Sequence, residues 1–237
     1  WQYELKPYCE KLMVIDDLAD RNYQCDVLLD QTFGRHQEDY SILTSKNCQL
    51  ILGSQYALLR SEFAKWRPYS LKRRSTLVLK QLLINMGGVD ADNITEKILD
   101  ELRTCNLPND INITIVMGGS APHTKLIESK VNALPYKIEV KVDVDNMAEI
   151  MANADIAIGA AGSTTWERCC LGLPTIQIVV AKNQINIARN LVSTNVIQLI
   201  DRTYQLAKNI DYTSQSISKM SLVSSSIVDG KGSKRVV

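Results

Sequence analysis

The stretch from Ala154 to Gln184, ADIAIGAAGSTTWERCCLGLPTIQIVVAKNQ, constrains the fold of this chain more than any other. Asp155 to Ile158 reads as a short strand rich in isoleucine and alanine. Gly159 to Gly162 then removes side chains where that strand must turn into a helix. Ser163, Thr164 and Thr165 follow at once, so hydroxyls and the free N–H groups of a starting helix converge on one spot suited to a phosphate. Thr164 and Glu167 fit the capping box S/T-x-x-E, in which the carboxylate folds back onto the N–H of the cap residue. Cys169, Cys170 and Leu171 are expected on the buried side of the helix. Gly172 ends it in a left-handed turn and Pro174 prevents its continuation. Thr175 to Val180, apolar except for Gln177, is the strand expected when both sheet faces are covered. Lys182-Asn183-Gln184 forms a polar exit.

The same alternation runs through the preceding residues. Strands are expected at Leu82–Asn85, Ile111–Met117 and Tyr136–Val142, and a last one at Asn195–Ile200. Helices follow at Asn93–Arg103, where Asn93 and Glu96 offer a capping box, before Asn132, and at Asn146–Ala154. Six strands alternating with helices predict an α/β domain with a parallel sheet wound on both faces, here residues 76–212. Right-handed crossovers place the strand-to-helix loops on one edge, so Gly87-Gly88 and Gly162-Ser163-Thr164 are expected side by side. A Gly-Gly pair also suits close helix packing, and that reading of Gly87 and Gly88 stays open.

Before this region, Leu12–Ile15 stops at Asp16-Asp17, Cys25–Leu29 stops at Asp30, and Gln49–Gly53 forms a third short strand. Acidic residues at strand ends can be catalytic, but Asp16 and Asp17 are expected rather to cap or turn. The opening Trp1 and the brevity of these strands suggest a chain cut from something longer, with residues 1–75 the remnant of an N-terminal α/β domain plus linker. Tyr56 to Phe63 is expected to be a helical turn or linker packing Leu58, Leu59 and Phe63 inward. Arg60 suits either phosphate or an ion pair with Glu62 or Glu4. Lys72-Arg73-Arg74 reads as a solvated loop. Residues 213–237 form a tail in which an amphipathic helix crosses back toward the N-terminal part, and Asp229 to Gly232 is a turn.

Composition sets the outer bounds. The 237 residues are 45% hydrophobic with a net charge of +1, enough for a substantial core and without a global electrostatic case for nucleic acid or an anionic membrane. Six cysteines without a C-x-x-C pair argue against zinc or a disulfide scaffold and for reduced thiols. No run of 18 apolar residues and no signal peptide occur, so a soluble, cytoplasmic protein without metal or cofactor is expected.

The order of small-residue loop, Ser/Thr cluster, glutamate and Gly-x-Pro resembles the nucleotide-sugar site in the C-terminal domain of GT-B fold enzymes. The segments VIDDLADR, CDVLLDQ, GSQYALLRSEF, NMGGVDADN, NMAEIMANADIAIGAAGSTTWERCCLGLP and DGKGSKRV, in this order, resemble the UDP-2,4-diacetamido-2,4,6-trideoxy-β-L-altropyranose hydrolases of pseudaminic acid biosynthesis, a route associated with flagellin glycosylation. The resemblance implies a GT-B fold with two Rossmann-like domains and metal-free, inverting hydrolysis of a UDP-sugar. It implies ribose recognition by Glu167, diphosphate contacts from Ser163 and Thr164, and a sugar bordered by Asn183 and Gln184. Backbone N–H groups at Gly87-Gly88 would help to stabilise the departing diphosphate. The catalytic histidine of that family lies in a glycine-rich loop that this sequence lacks. His36 and His123 stand outside the motif and are expected on the surface or in loops. The chain is therefore expected to bind UDP without being catalytic by itself. A GT-B glycosyltransferase using a UDP-sugar and a non-catalytic nucleotide-sugar binding module are the alternatives.

Overall fold

The computed structural model describes residues 1–75, 78–180, 184–200, 203, 206 and 214–237. After a short helix α1 (Gln2–Leu5), strands β1 (Met13–Ile15), β2 (Val27–Asp30) and β3 (Gln49–Leu52) form a parallel sheet in that order. Val14, Cys25, Leu28, Tyr23 and Tyr40 make its core. Asp16 behaves as a turn residue, accepting from the Leu18 N–H at 2.9 Å and the Tyr23 hydroxyl at 2.6 Å. Asp30 is fully buried, paired with Arg35 and accepting from the Tyr40 hydroxyl and the Thr32 N–H.

The second sheet holds six parallel strands: β4 (Gln81–Asn85), β5 (Asn112–Met117), β6 (Lys137–Val142), β7 (Ile156–Ala160), β8 (Thr175–Ile178) and β9 (Gln198–Ile200). Their spatial order is β6-β5-β4-β7-β8-β9. Strand residues alternate between faces, and both faces are apolar, so two layers of core result. Leu82, Ile84, Ile113, Ile115, Ile156 and Ile158 pack against α3 (Ile94–Leu102) and α4 (Thr124–Val131). On the other face Leu83, Val116 and Ala157 meet α2 (Ser61–Arg73), α5 (Met147–Asn153), α6 (Thr164–Cys170) and α7 (Gln184–Ser193). Every residue of β7 and β8 is buried, as the apolar runs predict. Each fully buried Leu or Ile contributes roughly 1.5–3 kcal/mol. Edge strand β6 carries Lys137, Glu139 and Lys141 at alternate positions, charges that discourage pairing with another chain.

Two local expectations change. Helix α3 is capped by Asp90, whose carboxylate accepts from the Ile94 and Thr95 N–H groups at 2.8 and 3.0 Å, while Asn93 instead donates to Glu96. A carboxylate is the stronger acceptor, and it outcompetes the amide for the orphan N–H groups. Helix α2 extends to Arg73, so Lys72 and Arg73 lie in its last turn and Arg74 is its buried C-cap. Arg74 donates to the carbonyls of Met151 and Ala154 at 2.9 and 2.7 Å, and Arg73 pairs with Asp155 at 2.6 Å. The run is not a solvated loop: Lys72 is exposed, but Arg73 and Arg74 donate to the open carbonyls that end α5.

The tail forms α8 (Ser214–Ile227), packed on α6, and α9 (Gly232–Val236), packed on the single turn Ser54–Tyr56. No described helix is long and apolar enough to cross a membrane.

Candidate functional site

Strands β4 and β7 are neighbours, but the chain leaves β4 toward β5 and β6 and leaves β7 toward β8 and β9. The crossover helices therefore diverge at the carboxyl ends of this pair and leave a crevice, the place where ligands gather in open α/β sheets. A cleft of about 200 Å³ lies there. Asn85, Gly87 and Gly88 line it from β4, and Val116, Met117 and Gly118 from β5. Asp143, Val144 and Met147 close it on the β6 side, and Thr164, Glu167 and Arg60 on the other.

Gly87 holds φ at +90°, a value that L side chains rarely adopt. Gly118 is required for a different reason: a Cβ there would lie 2.1 Å from the Gly88 carbonyl oxygen. The two strand-end loops thus touch backbone to backbone, while the space beyond Gly87 and Gly88 stays open.

Arg60 forms the expected ion pair with Glu62, at 3.0 Å, and also lines the cleft. It donates to the Asp145 carbonyl at 3.4 Å, and Glu4 is not its partner. Glu167 does not close a capping box, because helix α6 begins at Thr164 with Ser163 as its cap residue and no side-chain cap bond forms. Its half-buried carboxylate has no hydrogen bond from the protein among the described residues, and faces the cleft. Burial raises its pKa above the ordinary carboxylate value, with the fields of Arg60 and Arg168 opposing that shift. A carboxylate held this way is an acceptor awaiting donors.

Arg60, Gly87, Gly88, Thr164 and Glu167 are thus brought together. Ser163 is exposed and outside the cleft lining. Asn183 lies outside the described residues, as does the Gln184 side chain, although the Gln184 backbone begins α7. His36 is exposed, and His123 faces the Ala91 carbonyl at 3.2 Å, so neither lines the cleft. Among the described residues no group of His, Cys, Asp and Glu could hold a metal ion.

Asn85, Asp143, Val144 and Met147 were not singled out in the sequence. Their signal is positional: each follows or ends a strand of the same sheet edge. Asp143, with φ at +52°, turns the chain immediately after β6.

Residues 82–225 match the glycosyltransferase family 28 C-terminal domain. The chain belongs to that family. The family 28 domain thus begins within β4 and includes all of the cleft lining except Arg60. An uncharacterized protein of Methanocaldococcus jannaschii is 29% identical over 185 residues, 76% of this chain and 37% of that protein. The UDP-2,4-diacetamido-2,4,6-trideoxy-β-L-altropyranose hydrolase of Campylobacter jejuni is 29% identical over 174 residues, 73% of this chain and 59% of that enzyme. A UDP-N-acetylglucosamine–N-acetylmuramyl-(pentapeptide) pyrophosphoryl-undecaprenol N-acetylglucosamine transferase of Helicobacter pylori is 34% identical over 110 residues, 44% of this chain and 30% of that enzyme. This family 28 chain therefore spans less than two thirds of the length of each of these relatives. Its fold is GT-B-like with Rossmann-type parallel sheets: the crystal structure of Acinetobacter baumannii MurG superposes with a TM-score of 0.68 at 14% identity, over 99% of this chain and 67% of that one.

Proposed function

We propose that this chain supplies the nucleotide site of a GT-B enzyme that uses a UDP-sugar, and that the cleft at the β4/β7 switch point takes the UDP moiety. The observation that carries the reading is the convergence of a cleft-facing carboxylate without a protein donor, Glu167, with Arg60, Thr164 and the open Gly87-Gly88 loop. Glu167 would accept from the two ribose hydroxyls. Arg60 and Thr164 would meet the diphosphate, and Val144 and Met147 offer an apolar wall.

Breaking an anomeric C–O bond leaves charge on the diphosphate, and donors already aimed at that position lower the barrier without reorganising. Glycosyl transfer to an acceptor is the activity we favour for the enzyme containing this chain. The family match and the transferases among its relatives support it. Hydrolysis is the second reading, favoured by the Campylobacter enzyme, whose similarity reaches across a larger share of the chain. Neither histidine lines the cleft, and this site is assigned binding and leaving-group stabilisation.

Calorimetric titration with UDP tests the nucleotide reading. The wild-type chain should bind, and Glu167→Ala should bind about tenfold more weakly or worse, as for a lost hydrogen bond to a charged group. Equal affinity would reduce Glu167 to a bystander, and a folded wild-type chain that ignores UDP would end the reading. In the enzyme containing this chain, UDP release that requires an acceptor supports transfer; release into water alone supports hydrolysis.

A further inference from the structure

Behind the cleft, Arg168 is 2% exposed and has no carboxylate partner among the described residues. Its Nη2 donates to the Ala160 carbonyl at 2.8 Å and to Thr165 Oγ1 at 3.2 Å, and its Nη1 donates to Thr164 Oγ1 at 3.2 Å. Its Nε–H is buried without an acceptor. A buried cation left partly unsatisfied is costly, and well-packed apolar residues are often the more stable choice. The surroundings nevertheless make room for it. A Cβ at residue 159 would lie 2.5 Å from Nη1, and that position is glycine. The guanidinium stays charged at neutral pH, although burial pulls its pKa down to about 10.

A guanidinium can only donate. Thr164 Oγ1 must therefore act as acceptor toward Arg168, which commits one of its lone pairs inward and leaves its own O–H to point elsewhere. No protein acceptor for that hydrogen occurs among the described residues, and Thr164 lines the cleft. Thr165 Oγ1, by contrast, also accepts from Gln177 Nε2 at 2.8 Å and belongs to the scaffold.

We propose that Arg168 is a positioning residue of the nucleotide site, which fixes the Thr164 hydroxyl as a donor toward the diphosphate and sets a buried positive charge behind it. Selectivity for nucleoside diphosphate over nucleoside would then reside in this Arg168–Thr164 pair as well as in Arg60. This inference rests on the UDP reading above.

The test is titration of the wild-type chain, Thr164→Val, Arg168→Lys and Arg168→Met with UDP and with uridine, beside thermal melts. Thr164→Val keeps the shape of the side chain and removes only the hydroxyl. We expect Thr164→Val and Arg168→Met to lose about tenfold on UDP, with uridine binding unchanged. Arg168→Lys, which keeps the charge but not the planar fork, should fall between. In the Thr164→Val background, Arg168→Met should cost less than it does alone, because part of its action passes through the hydroxyl. A merely structural role would weaken UDP and uridine together, or neither, and would overturn the proposal. Should Arg168→Met fail to fold, an unchanged ratio of UDP to uridine affinity in Thr164→Val overturns it just as well. A folded wild-type chain that binds no UDP sinks the nucleotide reading itself, an outcome distinct from variants that match a binding wild type.

Discussion

Glu167, the proposed ribose acceptor, opposes the fold that carries it. Its carboxylate is half-buried without a hydrogen-bond donor, and burial raises its pKa above the ordinary 4.5. A raised folded-state value means that the folded chain holds the proton more tightly than the unfolded one. The contribution to stability is therefore fully present below pH 4.5 and is lost as pH rises through the folded value. Glu167→Gln removes this dependence. Its melting temperature should exceed that of the wild type at pH 7, and the gain should vanish below pH 4.5, while UDP binding weakens at pH 7. The cleft glycines give a second contrast. A methyl group at residue 88 enters open space, whereas one at residue 118 meets the Gly88 carbonyl. Gly88→Ala should melt like the wild type and bind UDP less well; Gly118→Ala should melt several degrees lower, since backbone must shift to relieve the overlap.

Among the elements, the junction of α2 and α5 bears on the placement of the sheet. Arg74 satisfies the last carbonyls of α5, and Arg73 reaches Asp155 at the entrance to β7. The same Asp155 carboxylate accepts from the N–H groups of Lys80 and Gln81 at 2.8 and 2.7 Å, so one buried side chain ties α2 to the starts of β4 and β7. Removing the Arg74 fork takes the side-chain donor from the Met151 and Ala152 carbonyls and one of the two from the Ala154 carbonyl, and each buried carbonyl left unpaired costs about 1–3 kcal/mol. Arg74→Ala should destabilise the chain by roughly 3 kcal/mol or more, read as a lower urea midpoint at unchanged slope. Lysine at that position should recover only part of the loss, because one ammonium cannot span the same carbonyls.

At the scale of the molecule, the C-terminus secures the segment that carries Arg60. Ser54 donates to the Ile227 carbonyl at 2.8 Å, Ser233 to the Leu59 carbonyl at 3.1 Å and Arg235 to the Gln55 carbonyl at 2.8 Å. Gly232 sits so close to the Ala57 backbone that a Cβ would lie 2.2 Å from the Ala57 carbonyl oxygen. Deleting residues 229–237 should therefore speed proteolysis between Ser54 and Arg60 and weaken UDP binding several-fold, while the melt of the six-stranded sheet changes little. Loss of UDP binding without faster cleavage would contradict this coupling.

The sequence by itself determined the strands of the larger sheet and its helices α3 to α6, the left-handed end of α6 at Gly172 and the burial of Cys169 and Cys170, because alternation, glycine and proline act over a few residues; helix α7 was not read from it. It also placed Gly87-Gly88 and Gly162-Ser163-Thr164 on one edge, since right-handed crossovers leave little choice, although only Gly87, Gly88 and Thr164 of these line the cleft. It misassigned the cap of α3 and the basic run at the end of α2, where the competing acceptor lay nearby in the chain or the open carbonyls lay far along it. Only the tertiary structure decided the strand order that opens the cleft between β4 and β7, the meeting of Arg60 with Glu167, and the burial of Arg74 and Arg168. Those outcomes depend on contacts between residues distant in sequence, and a charged side chain looks the same in the chain whether it ends in water or among carbonyls.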